Sequence, residues 1–497
     1  MYSATYILLN VVLAILAVYV TLYLWGRRHL YWAARKFKGP LALPIIGNGW
    51  MFMCKNEEIL MRIYRLTQNQ NNEPMRFWLG PELLISFCKL DHVEKILSSS
   101  KFARKHDIYD FIKIYLGEGL ISGSGPSYKQ HRRIIQPMLD LNFAKDSTTF
   151  IQKHVDLCME KLERFVGRGT FDVHSVIHKC MVDIIKEILL GSDERCQLTG
   201  LSEFDQGVTD AYNFAFSRMA KPHLQPEVIF NMTPYKKRQD EIQTVIRSEG
   251  KKMVEASYKR RKLSKITNEL YPIIDRLGDF VEENPNVISD DVFIDHILTL
   301  YAAAEDTVTT ITGFLAICFG MYPEYQEKAA KEIRDIFGDT PRPVTTHDVD
   351  QLNYIDMCIK DTLRLFPIGP VILRKCTGDF ALESWIVPKD CALVVPIFTI
   401  HRDKRYWENP NHFHPDHFLP EVASKRHTYA YIPFSAGPRG CIGKILANTA
   451  LRIFICNLLQ RFEIEADGKL PDLALKMDIS TRPKDGYYLR LKKRVWK

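Results

Sequence analysis

The residues with the clearest chemical purpose lie near the carboxyl end, in Phe434-Ser-Ala-Gly437-Pro-Arg439-Gly440-Cys441-Ile-Gly443. A cysteine set among glycines in this way suits a thiolate ligand to a haem iron. Such a sulfur must stay ionised, which nearby iron and backbone N–H donors provide. It must be reached by a tight turn, which Gly437, Gly440 and Gly443 permit. It must also be shielded from water, which Phe434 and Ile442 can do. Arg439 can meet an acidic side group of the macrocycle through charge-assisted hydrogen bonds. A second set, Ala303-Ala304-Glu305-Asp306-Thr307, combines small residues with a carboxylate and a hydroxyl. The small residues allow close approach, Thr307 can hold a water, and Asp306 can relay protons inward.

These sets need a scaffold, and the chain predicts one. Ser289 is placed as an N-cap, with Asp290 and Asp291 in the first turn. A helix from there to Tyr322, stopped by Pro323, would carry Asp306 and Thr307 at its middle. Its length of roughly 50 Å crosses a whole domain. A further helix over 444–462 follows the cysteine. From about 143 to 366 helical periodicity dominates, and shorter strand-like runs fall at 75–79, 83–88, 371–375 and 392–398. The run 487–493 alternates apolar and basic residues and reads as an edge strand. The expected fold is mainly α with a smaller β-rich part.

Composition narrows the class. With 497 residues, 46% hydrophobic and 25% charged, the chain is globular, and its net charge of +8 is too mild and dispersed to argue for nucleic acid. Eleven cysteines without a C-x-x-C pair exclude a zinc-finger or disulfide framework. No G-x-G-x-x-G or G-x-x-x-x-G-K-[ST] cradle occurs, so neither a dinucleotide nor a nucleoside triphosphate is expected in the usual backbone site. Residues 1–26 carry no charge, and Tyr6 to Trp25 is long enough for one bilayer crossing. The basic cluster Arg27, Arg28, Arg35, Lys36 and Lys38 follows, which by the positive-inside rule places the bulk of the chain in the cytosol. The division is therefore a membrane anchor at 1–26, a basic and proline-rich hinge at 27–48, and a catalytic domain at 49–497.

The cysteine stretch resembles the cytochrome P450 signature F-x-x-G-x-R-x-C-x-G at every fixed position. The resemblance covers nearly the whole chain and is nearest to animal microsomal members of the fatty-acid ω-hydroxylase (family 4) clan. It implies a P450-like fold with haem b on Cys441, a single anchor in the endoplasmic reticulum membrane, and the catalytic domain facing the cytosol. It also implies a monooxygenase that puts one atom of O₂ into a lipophilic substrate: a fatty acid, terpenoid, hormone or xenobiotic. Electrons would come from NADPH through a membrane-bound flavoprotein reductase, with cytochrome b5 as a second donor and membrane lipid as a neighbour.

Residue by residue, Ser127-Tyr128-Lys-Gln-His131-Arg132 is similar to the family's W-x-x-x-R helix, with Tyr128 in place of tryptophan. Tyr128, Arg132 and Arg374 are thereby implied to reach the haem propionates. Ala303-Ala304-Glu305-Asp306-Thr307 is similar to the family's oxygen-activating stretch. The ω-hydroxylases usually carry glutamate where this chain has Ala303, so a non-covalent haem is implied. The family's E-x-x-R reads Asp361-Thr-Leu-Arg364 here, and His417 stands where a third member is arginine. With aspartate one carbon short, this triad of Asp361, Arg364 and His417 is expected to pair poorly. Two other readings share these residues. One is a haem-thiolate isomerase or dehydratase, against which the Asp306–Thr307 pair argues. The other is a degenerate, weakly active haem-binding relative.

Overall fold

The computed structural model describes residues 2–70, 72–263 and 270–496. Seven helices matter for function: α1 (Tyr2–Gly26), α2 (Gly125–Ile135), α3 (Thr148–Glu163), α4 (His174–Leu190), α5 (Asp290–Met321), α6 (Asn353–Leu365) and α7 (Lys444–Arg461). The strands are β1 (Met75–Leu79), β2 (Glu82–Ser86), β3 (Phe171–Asp172), β4 (Ile372–Lys375), β5 (Phe380–Leu382), β6 (Trp385–Val387), β7 (Ala392–Val395), β8 (Phe462–Glu465), β9 (Leu475–Met477), β10 (Thr481–Pro483) and β11 (Tyr488–Lys493). A helical body with smaller sheets is what the periodicity predicts.

α5 is the axis of the body. Its 32 residues span about 48 Å at 1.5 Å per residue. It begins after Ser289, whose backbone is extended and whose carbonyl takes the first helical bond from Phe293 N–H. The Ser289 side chain makes no capping bond; start selection falls to the acidic first turn, where Asp291 also pairs with Arg247 at 3.4 Å. Tyr322 leaves the helical region at φ −129°, and Pro323 opens the next helix. α5 is buried on nearly every side, so it is largely apolar and its polar residues, such as Asp295, Glu305 and Asp306, are bonded to other elements. Phe314 on α5 stacks on Phe366, just past α6, with ring centroids 3.9 Å apart.

The largest sheet has the order β1-β2-β7-β4. β1 and β2 form the expected hairpin, with Met75 opposite Ser86 and Leu79 opposite Glu82. β7 ends at Val395, and Ile397–Ile400 turns into a short helix, so the run expected as strand to 398 stops early. A second sheet has the order β3-β11-β8. The expected edge strand is thus the central one: Leu491 pairs with Ile464 on one side and Leu489 with Phe171 on the other. Its alternation of apolar and basic residues reflects one buried face, not an open edge.

α1 is apolar along its length, with a candidate span Tyr6–Gly26 of mean hydropathy 2.5 and none of it buried in the protein. The segment after it is not free: Leu30, Ala33, Ala34 and Phe37 are buried, and backbone bridges join Lys38 to Met75 and Gly47 to Leu79.

Candidate haem-thiolate site

The cysteine loop is built by two left-handed residues, Ser435 at φ 60° and Gly437 at φ 65°. A Cβ on Gly437 would stand 2.1 Å from the Leu97 carbonyl oxygen, so both backbone conformation and close approach demand glycine there. Gly440 and Gly443 have ordinary φ values of −60° and −85°. The turn therefore needs one of the three glycines expected to make it, and a Cβ on Gly443 would lie 3.9 Å from the Cys441 sulfur. The loop closes by hydrogen bonds from Cys441 N–H to Phe434 O at 2.9 Å and from Gly440 N–H to Gly437 O at 3.0 Å.

Nine of the eleven cysteines are buried and Cys54 is half-buried; Cys441 alone is exposed. Yet burial pushes the Cys441 thiol up, against the pull of the Gly443 and Lys444 amides and the charges of Arg132 and Lys444. A side chain at once hemmed in by protein and accessible lies in a recess. Its position just before α7 aims helix N-terminal amides at the sulfur. Phe434 is half-buried beside it, with the Lys444 ammonium 5.8 Å from its ring centroid. Among the described residues no group of three or more His, Cys, Asp and Glu could hold a bare metal ion.

Four cations converge nearby without an acid. Arg439 is buried, donates to Gly123 O at 2.8 Å and Ile121 O at 3.3 Å, and is pushed by burial down to about 10. Arg374 is buried, donates to Leu373 O at 3.0 Å, and is also lowered by burial. Lys105, which no sequence pattern marks, is held well below its usual value by burial and by the charges of Arg374 and Arg439. Arg132 donates from Nη1 to Tyr128 Oη at 2.9 Å. None of the four forms an ion pair with a described carboxylate. Burying cations together without compensation is unfavourable, so the arrangement fits an anionic group such as a pair of propionates.

Tyr128 departs from its expected use. Its hydroxyl carries one proton and donates it to Pro438 O at 3.0 Å, so none is left for a propionate. Tyr128 instead ties α2 to the cysteine loop, stacks 3.7 Å under the Arg439 guanidinium and orients Arg132.

On α5, Ala303, Ala304 and Thr307 are partly exposed in the middle of a buried helix. The spacing i, i+1, i+4 puts them on one face. Thr307 donates back to Ala303 O at 2.7 Å, leaving its oxygen free to accept. Asp306 is buried on the flank and does not touch Thr307; its carboxylate takes bonds from Ser480 and Arg482 of the β9–β10 hairpin. Behind both, Glu305 is buried against His178 of α4. Only tertiary contact reveals His178, one of fifteen histidines in the chain.

The triad comes together with better geometry than its short acid predicts. Asp361 receives Arg364 Nε at 2.6 Å and Nη2 at 3.1 Å, a bidentate pair with both side chains fully buried. His414 N–H adds a bond at 2.6 Å. The remaining Arg364 donors reach the carbonyls of His401, Pro410 and His412. His417 Nδ1 lies 3.1 Å from Asp361 Oδ1 and Nε2 lies 2.8 Å from Glu408 O. The missing carbon does not keep the pair apart, because i, i+3 spacing brings the two side chains together.

Comparison with known proteins agrees with this geometry. The family model described as cytochrome P450 matches residues 37–490. Cytochrome P450 4c21 of Blattella germanica is 30% identical over 459 residues, covering 90% of this chain and 91% of that protein. Cytochrome P450 4V2 of Rattus norvegicus is 30% identical, covering 91% and 89%, and cytochrome P450 4c3 of Drosophila melanogaster is 29% identical, covering 95% and 92%. A haem b with a thiolate iron ligand, reduced by NAD(P)H through a reductase, follows from that membership. The fold, the recessed cysteine and the match across the chain agree: this protein belongs to the cytochrome P450 family and is a monooxygenase.

Proposed function

We propose that Cys441 is the iron ligand and that this chain hydroxylates a lipophilic substrate at the endoplasmic reticulum membrane, with electrons from a membrane-bound flavoprotein reductase. One observation carries the assignment: the single exposed cysteine stands in a recess beside buried cations that lack acids. Haem bound there by a thiolate supplies oxygen binding and the electron density that favours O–O cleavage. Around it the protein's own groups divide the work. Arg132, Arg374, Arg439 and Lys105 neutralise the propionates. Gly443 and Lys444 amides stabilise the sulfur as thiolate. Thr307 would accept a hydrogen bond from water on the open face of α5, and Asp306 would relay protons on release from Ser480 and Arg482.

Membrane placement is supported by the unburied α1 and by apolar residues left exposed past it, with Leu41 79% and Ile45 92% exposed. Val228 and Met232, 76% and 84% exposed, add a second apolar patch. We read 1–26 as the anchor, 27–48 as the hinge and 49–497 as the catalytic domain. By the family resemblance the pocket would draw on Tyr212, Phe214, Phe216 and residues 368–373, a mostly apolar set that suits a lipophilic substrate. Lys129, Arg133 and Lys444 are exposed near the cysteine side and suit an acidic redox partner, either the reductase or cytochrome b5. The well-bonded Asp361 set counts against a degenerate relative.

The test is the absorption spectrum of the reduced, CO-bound protein. The wild type should show the strongly red-shifted Soret band of a thiolate-ligated haem, and Cys441→Ala should lose it. A variant that keeps porphyrin and that band would remove the basis of the assignment. NADPH consumption coupled to product, in the presence of a reductase, then separates a monooxygenase from an isomerase.

A further inference from the structure

We propose that Cys376 and Cys391 form a reversible dithiol–disulfide site that a hydroperoxide oxidises. The two residues continue the antiparallel pairing of β4 and β7, in which Lys375 stands opposite Ala392. Cys376 N–H donates to Cys391 O at 2.9 Å, and Asp390 N–H donates to Cys376 O at 2.8 Å. Asp390 has φ 66°, in the left-handed region. This pattern is a β-bulge in which Asp390 takes the glycine-like position and Cys391 is returned to the same face as Cys376. Closely paired antiparallel residues have Cα atoms about 5.5 Å apart, inside the window of about 4.4–6.8 Å that a disulfide spans. The Cys376 thiol donates to Gly378 O at 3.0 Å, and the Cys391 thiol is near enough to shift it.

The pair is asymmetric in the way a peroxide reaction needs. The neighbouring Cys391 thiol outweighs burial and holds the Cys376 thiol below its ordinary value, while burial pushes Cys391 well up. Cys376 is therefore the sulfur that attacks the peroxide and Cys391 the one that resolves it. Both thiols are buried, but their neighbours Thr377 and Asp390 are exposed. They share a core cluster with Leu382 and Val387 of the β5–β6 hairpin and with Phe102, and a molecule of water size would reach them through local opening there.

The chemistry balances with one hydrogen peroxide. The Cys376 sulfur attacks one peroxide oxygen, the O–O bond breaks, and a sulfenic acid forms with release of water. The Cys391 sulfur then attacks the Cys376 sulfur, and the hydroxyl leaves as a second water with the Cys391 proton. Two thiols and one peroxide give one disulfide and two waters, and a dithiol reductant reverses the change. The bond closes off the β5–β6 hairpin two residues beyond Arg374, pinning β4 to β7 beside the cation cluster.

The test exposes the full-length, haem-loaded protein to graded hydrogen peroxide, alkylates the remaining thiols and maps peptides by mass with and without reduction. Cys376 and Cys391 should leave the alkylatable pool together, joined in one non-reduced peptide lighter by two hydrogens, several-fold faster than half-buried Cys54 is oxidised. A dithiol reductant should restore both. In Cys391→Ser, Cys376 should accumulate as a sulfenic acid trappable by a cyclic dione. Loss of one cysteine without the other in the wild type would overturn the proposal. So would oxidation of Cys54, or cross-linking of the other buried pair, Cys158 and Cys180, before any 376–391 peptide appears.

Discussion

His417→Ala tests whether the unusual third member of the triad carries weight. The imidazole is 4% exposed and bridges two acceptors, Asp361 Oδ1 at 3.1 Å and Glu408 O at 2.8 Å. A bond to a charged acceptor is worth about 1.5–3 kcal/mol and one to a neutral carbonyl about 0.5–1.5 kcal/mol. Asp361 keeps Arg364 and the His414 amide, so no charge is stranded and the larger penalty of a broken buried ion pair is avoided. The cost should be about 3 kcal/mol, a fall of roughly 3 °C in the unfolding midpoint for a chain of this size. Circular-dichroism melts at a fixed scan rate and haem retention would report it. His417→Gln, able to serve one of the two acceptors, should recover about half. A change under about 0.5 kcal/mol, ordinary for an exposed site, would show that the bridging role is empty.

Three further outcomes follow from the geometry. Gly437→Ala should lower stability by about 3 kcal/mol or more and abolish haem incorporation, because it combines left-handed strain with overlap on Leu97 O; Gly443→Ala should fold normally. Acid should destabilise the protein through carboxylates whose values are depressed on folding. Arg342 holds Asp348 down to about 2, and at Asp361 the charge of Arg364 and the bond from His417 overcome burial. Their contribution is complete above the ordinary carboxylate value near 4 and is lost as pH falls below it. Urea midpoints should therefore drop over that range, less steeply in Asp348→Asn. Because Ala303 offers no carboxylate to the porphyrin, acidified organic solvent should extract haem completely; colour retained on the denatured chain would contradict this.

Local chemistry was readable from the sequence, and partnerships were not. The cysteine loop and the long α5 announce themselves within a few residues, whereas the bonds from Ser480 and Arg482 that turn Asp306 away from Thr307 do not. Tyr128 looked like a propionate donor because nothing in its neighbourhood names Pro438, 310 residues away, as the taker of its proton. Lys105 joins the cation cluster through a bridge to Arg374 that no local pattern encodes. The alternation in β11 was correctly periodic but assigned to an edge, since burial of one face looks the same whether a strand has one neighbour or two. The triad was undervalued for a related reason. Side-chain length can be compared in a sequence, whereas the carbonyls that complete Arg364 come from separate loops.

The grip of the β9–β10 hairpin on Asp306 links two demands on this enzyme. Ser480 and Arg482 hold the carboxylate, and Thr481 between them bonds to Pro367 O and Ile368 O at 2.8 and 3.1 Å. One short hairpin thus touches both Asp306 and the Pro367–Ile368 segment that leads into β4. A shift of Pro367–Ile368 would pull on the tethers of the Asp306 carboxylate through Thr481, so the two places are mechanically joined.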